Sequence, residues 1–92
     1  MLGEAHQDAL RRLQSIEGHV RGIQRMIEEG QYCIDIIKQG QAVQAALSKV
    51  NQIILKNHLQ TCVTTAIRSN DQAERERVIR ELMEVYAVAD KL

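Results

Sequence analysis

An all-α fold of three helices, one long, one very long and one shorter, follows from three features of this 92-residue chain. It contains no proline, the strongest helix breaker. It is rich in Ala, Leu, Ile, Glu, Gln and Arg, most of which favour helix. Its apolar residues recur at alternating spacings of four and three over long stretches, the seam of a coiled-coil-like helix. Tyr32 and Tyr86 are the only aromatic residues, so aliphatic seams between long helices suit the chain better than a core built on bulky anchors.

The first helix is predicted over residues 4–29. Ala9, Leu13, Ile16, Val20, Ile23 and Ile27 form its seam. Gly18 and Gly22 interrupt it on either side of His19, each at about 1 kcal/mol relative to alanine; close packing against another helix would explain them. Gly30, after Glu28 and Glu29, reads as a C-terminal stop. The second helix is predicted from Cys33 to about Arg68, with Ile36, Val43, Leu47, Val50 and Ile54 on one stripe and Ala42, Ala46 and Ile53 beside it. About 35 residues would span about 50 Å, against a radius of gyration near 13 Å for a compact chain of about this size. So long a helix with so wide an apolar face needs something else to bury it, and a second copy of the chain is the economical answer. Ser69-Asn70-Asp71 reads as a turn and N-cap. The third helix, about 71–89, sets Val78, Leu82 and Val85 on one line and Ile79, Met83 and Tyr86 on the next. With no repeat or linker, residues 1–92 form a single domain, expected as an antiparallel dimer with a four-helix centre.

Formal net charge is zero, so charge alone does not announce a nucleic-acid partner. Its distribution says more. Arg11, Arg12, Arg21 and Arg25 cluster with Glu17 as the one acid among them, while 74–90 is mixed and mildly acidic. A local basic face can contact phosphates or simply be solvated. No stretch resembles a signal peptide or reaches the ~18 apolar residues of a membrane span. The expectation is a cytoplasmic protein, without a membrane partner, whose two cysteines are reduced. An enzyme is not expected, since no nucleophile–base–orienter set and no Gly-rich phosphate loop are present.

The sharpest local feature is His58-Leu59-Gln60-Thr61-Cys62. Histidine and cysteine at i and i+4 on a helix point the same way and can share a metal ion; from this pair alone the signal is weak, and a structural histidine beside a small core cysteine is the better reading. Cys33, at the start of the same predicted helix, is a third candidate. It lies 25 positions before His58, about 37 Å along an unbroken helix, so the two cannot meet within one straight helix. In an antiparallel dimer, Cys33 of one chain can meet His58 and Cys62 of the other. A helix N-terminus favours the Cys33 thiolate. Two thiolates and an imidazole suit Cu(I), and Zn(II) with a fourth ligand.

The segments 12–23 (RLQSIEGHVRGI), Arg25-Met26, Tyr32-Cys33-Ile34-Asp35, 41–47 (QAVQAAL) and His58-Leu59 with Cys62 resemble the CsoR/RcnR family of bacterial metal-sensing repressors, over residues 8–86. The resemblance implies an all-α protein whose dimers pair into tetramers, which binds operator DNA when metal-free and is released by its inducer. Cys33, His58 and Cys62 match the ligand triad of the copper-sensing branch, so Cu(I) is the implied cofactor. Nickel and cobalt sensors carry histidine at the last position and another near the N-terminus, where Met1 aligns here; His6 lies five residues further on. Formaldehyde sensors carry an N-terminal proline, and persulfide sensors lack the histidine that His58 supplies. Tyr32 resembles the tyrosine that hydrogen-bonds the metal-bound histidine. Glu81, after a short insertion near 69–74, resembles the glutamate that does the same, a sensible arrangement because a carboxylate fixes the imidazole tautomer. For DNA the resemblance points to Arg12, Arg21 and Lys38, with Arg25 and Arg11 beside them. No helix-turn-helix is present, so a basic face shared between subunits is expected. The alternatives are a sensor of another metal (Ni, Co or Zn) or of reactive sulfur in the same fold, and a helical metal carrier with no DNA role.

Overall fold

The computed structural model describes the backbone of residues 3–91 and the side chains through Ala87. Among these residues every element is helical: α1 (Glu4–Glu28), α2 (Cys33–His58), a π-helical turn (Leu59–Val63), α3 (Thr64–Arg68) and α4 (Gln72–Lys91). Met1 lies outside the described residues.

Local chemistry sets the ends. Gly30 takes φ +66°, the left-handed conformation that glycine adopts without a Cβ penalty. The Gln31 N–H then donates to Met26 O (3.0 Å) and the Gly30 N–H to Ile27 O (3.1 Å), the paired bonds of a Schellman stop. At α4, Asp71 caps the helix: its Oδ1 accepts from the Glu74 N–H (3.3 Å) and its carbonyl from the Arg75 N–H (3.2 Å).

The second helix differs from expectation in one respect. The segment from Cys33 to Arg68 does not keep one α register but passes through the π turn at 59–63. His58, Val63 and Thr64, at its edges, all keep right-handed helical φ and ψ, so the register changes without breaking the helix. Two threonine hydroxyls donate to backbone carbonyls there, Thr61 to Asn57 O (2.8 Å) and Thr64 to Leu59 O (2.6 Å). Such back-bonding competes with regular helix bonds.

The chain divides into two compact units, Met1–Lys56 and Asn57–Leu92. In the first, α1 and α2 form a hairpin whose core is Ala9, Ile16, Val43 and Val50, with Ile23, Ala46 and Ile53 packed against it. In the second, Val63, Ala66 and Val78 are buried together with Leu82 against them.

Only part of each expected seam is covered within the chain. Leu13, Val20 and Ile27 of α1, and Leu47 and Ile54 of α2, remain exposed, as do Ile79, Met83, Val85 and Tyr86 of α4. Tight packing at the helical glycines is also not found within the chain: a Cβ on Gly18 would meet no atom within 4 Å, and one on Gly22 only the end of Arg25 at 3.8 Å. No helix among the described residues is long and apolar enough to cross a membrane.

Candidate functional site

Cys33 is the first residue of α2. The carbonyl of Tyr32 accepts from the N–H groups of Asp35 (3.0 Å) and Ile36 (3.2 Å), which places Tyr32 at the cap and Cys33 in the first turn. The unpaired N–H groups of that turn carry the positive end of the helix dipole. Tyr32 is 68% exposed, so its phenol is not packed down as a turn aromatic would be.

His58 closes α2, and Cys62 lies in the π turn that follows. With about 3.6 residues per turn, a residue four positions on overshoots one turn; the wider π turn removes that overshoot. His58 and Cys62 thus lie about one turn apart along the helix. His58 is half-buried. Cys62 is exposed and borders an open cleft of about 510 Å³ that it shares with Thr61, Thr65 and Asp71. The Thr61 hydroxyl approaches its Sγ at 3.7 Å, within reach of a weak hydrogen bond. Both cysteines are free thiols. Cys33 and Cys62 thus each present exposed sulfur, and thiolate and imidazole are donor types that suit soft cations. Among the described residues, no three His, Cys, Asp or Glu side chains of one chain gather closely enough to hold a metal.

Glu81 lies on α4, where its Oε1 accepts from Arg77 Nη1 (2.7 Å). The same guanidinium donates to Glu74 through Nε (3.1 Å) and Nη2 (2.8 Å). The Arg77 hydrogen bonds and charge hold the Glu74 carboxyl below its usual range; the two carboxylates raise the Arg77 pKa further. No hydrogen bond links Glu81 or Tyr32 to His58 among the described residues.

The basic face lies in the α1–α2 unit. Arg11 and Arg12 both pair with Asp8 (3.6 and 3.3 Å), and Arg21 with Glu17 (3.8 Å). Arg25 and Lys38 are exposed and form no ion pair among the described residues. Such exposed pairs are weak and exchange readily for another anion. His19 is half-buried and joins the two helices, with its Nε2 2.7 Å from Gln39 Oε1. A small cleft of about 170 Å³ beside it is lined by Arg12, Ser15, Ile16 and Ala46.

Residues 5–87 match the metal-sensitive transcriptional repressor family. The chain belongs to this family. Among its relatives, the copper-sensing transcriptional repressor CsoR of Mycobacterium bovis BCG is 46% identical over 72 residues, covering 77% of this chain and 60% of the relative. The protein of the same description from Bacillus subtilis is 48% identical over 75 residues, covering 82% and 71%. The chain thus matches less than two thirds of the mycobacterial protein's length. In three dimensions, the crystal structure of the copper-sensing repressor CsoR with Cu(I) from Geobacillus thermodenitrificans is similar at a TM-score of 0.81 and 43% identity, covering 91% of this chain and 84% of the other.

Within this chain, two features were not legible in the sequence pattern. The π turn had a signal in the threonines at 61 and 64, whose hydroxyls bond local carbonyls. The Arg77 clamp had one in the spacing of Glu74, Arg77 and Glu81, three and four residues apart on one helix face.

Proposed function

We propose that this chain is a copper(I)-responsive transcriptional repressor that binds operator DNA when metal-free and leaves it on binding Cu(I). The observation that carries the reading is the donor set: two exposed free thiols, Cys33 and Cys62, with His58 one turn from Cys62. Cys33 stands at the first position of α2 and His58 at its last, so the set is completed between two copies of the chain, in a homodimer that pairs into a homotetramer. Exposed apolar residues support that assembly. Leu13, Val20 and Ile27 recur every seven residues along α1, and Leu47 and Ile54 do so along α2, a second seam beside the one already buried. When bound, Cu(I) supplies a soft cation that draws the three donors together. Tyr32 and Glu81 take up the imidazole N–H of His58 and fix its orientation. Arg12, Arg21 and Lys38, flanked by Arg11 and Arg25, contact the DNA backbone. A repressor of this kind acts where the chromosome is, in the cytoplasm, with no membrane partner and no catalytic role.

The exposure of both thiols also favours a second reading, a sensor of reactive sulfur; a set containing His58 weighs towards a metal. One experiment separates these. Reduced protein on its own promoter DNA is titrated anaerobically with Cu(I), Zn(II), Ni(II) and a persulfide donor. Release at the lowest free concentration by Cu(I), lost in Cys33→Ala while metal-free DNA binding persists, is the expected result. Release by a persulfide donor at lower concentration, or by Ni(II), overturns the copper reading.

A further inference from the structure

We infer that Arg77 competes with His58 for Glu81 and thereby sets how strongly metal binding is coupled to DNA release. The inference rests on the proposed role of Glu81 as hydrogen-bond partner of His58. In the structure that carboxylate is already engaged, because Arg77 Nη1 donates to Glu81 Oε1 at 2.7 Å while Nε and Nη2 hold both oxygens of Glu74. One guanidinium thus bridges two carboxylates two turns apart on α4; the pairs are half-exposed and individually modest, but they share one rigid donor group.

Two physical consequences follow. First, the bond fixes the Glu81 side chain along the axis of α4, towards the residue four positions earlier. To meet an imidazole N–H it must turn away from Arg77 or share its charge with it. Second, a carboxylate whose charge is partly neutralised by a guanidinium is a weaker acceptor for a second donor. In either case Arg77 draws on the free energy by which metal-bound His58 pulls on α4. A ligand shifts a conformational equilibrium only by its differential interaction with the two states, so a competing partner in the metal-free state lowers the coupling. Glu74 acts in the opposite sense. It takes two of the three bonds from Arg77 and so loosens the guanidinium's hold on Glu81.

The inference predicts opposite effects from neighbouring, exposed positions. The coupling is the ratio of promoter-DNA dissociation constants with and without saturating Cu(I), measured under anaerobic conditions. Arg77→Met should raise it about twofold, the modest effect expected of a half-exposed pair, Arg77→Lys should fall between Arg77→Met and wild type because an ammonium cannot bridge both carboxylates with a fork, and Glu74→Gln should lower it. Metal-free DNA affinity should be unchanged in all three, and because coupling is reciprocal the Cu(I) affinity of the DNA-free protein should change by the same factor as the coupling. A readout independent of DNA is the Arg77 guanidinium NMR signal, which should shift on adding Cu(I) to wild type and stay still in Glu81→Gln. If Glu81→Gln itself leaves the coupling intact, the His58–Glu81 reading has failed. If Glu81→Gln lowers the coupling but Arg77→Met leaves it unchanged or reduces it, the reading stands and the competition is refuted. In the double variant Arg77→Met with Glu81→Gln, the gain from losing Arg77 should vanish; a gain that persists assigns the effect to α4 in general and overturns the inference.

Discussion

Arg12 illustrates how a side chain can be arranged for a partner and still be satisfied without one. Its guanidinium pairs with Asp8 at 3.3 Å, and Arg11 leans on the same carboxylate. A phosphate can replace Asp8 at little cost, because exposed pairs one helical turn apart are weak. Arg12→Ala should therefore weaken binding to promoter DNA while Cu(I) affinity stays near wild type. The slope of log affinity against log salt should fall by about one for each phosphate that a chain no longer neutralises; fluorescence anisotropy at several salt concentrations measures both. An unchanged slope removes Arg12 from the interface. The candidate residues were legible in the sequence where their relation is local. His58 and Cys62 are four apart and Cys33 precedes a helical pattern, so spacing alone put them in play. The partner of Glu81 was not, because a carboxylate on a helix face has donors on both sides, and only the structure shows that Arg77 holds it.

At the level of elements, helix ends were readable and helix register was not. Gly30 and Asp71 stop and start helices through bonds made within a few residues, so the sequence carries their signal directly. The π turn at 59–63 depends on which carbonyls two threonine hydroxyls choose, a competition between nearly equal local bonds that apolar periodicity does not record. The glycines separate into two kinds. Gly18 lies mid-helix with open space where a Cβ would stand, whereas Gly30 has φ +66°. Gly18→Ala should raise stability by roughly 1 kcal/mol, the helix-propensity difference. Gly30→Ala should lower it by about 1–2 kcal/mol, the strain of a left-handed residue bearing a Cβ. Urea unfolding at fixed protein concentration tests both signs. A destabilising Gly18→Ala would place a subunit contact over that face, the close packing its sequence position first invited.

For the whole molecule, the sequence indicated more apolar helix face than one chain can cover, and the structure locates the surplus. In the α1–α2 unit, Ala9, Ile16, Val43 and Val50 bury one seam, while Leu13 and Leu47 stay 41% exposed on the next. What neither sequence periodicity nor a single chain reveals is which copy covers that seam and in what direction, since the partner's face enters only through symmetry. A mixing experiment decides it through the metal. A chain carrying Cys33→Ala lacks the donor at the start of α2; a chain carrying both His58→Ala and Cys62→Ala lacks the pair at its other end. Each alone forms only defective sites. When the two are unfolded together and refolded under reducing conditions, an antiparallel dimer of one chain of each kind brings the intact Cys33 of the second to the intact His58 and Cys62 of the first. That rebuilds one complete site and leaves its twin without any donor. With random pairing, tight Cu(I) binding should return to about one quarter of the wild-type amount per chain. A further Leu47→Glu in both chains, which places a charge in the exposed seam, should abolish the recovery and lower the mass found by light scattering. No recovery on mixing, with dimers still present by mass, would mean that the three donors are not shared between subunits in this way.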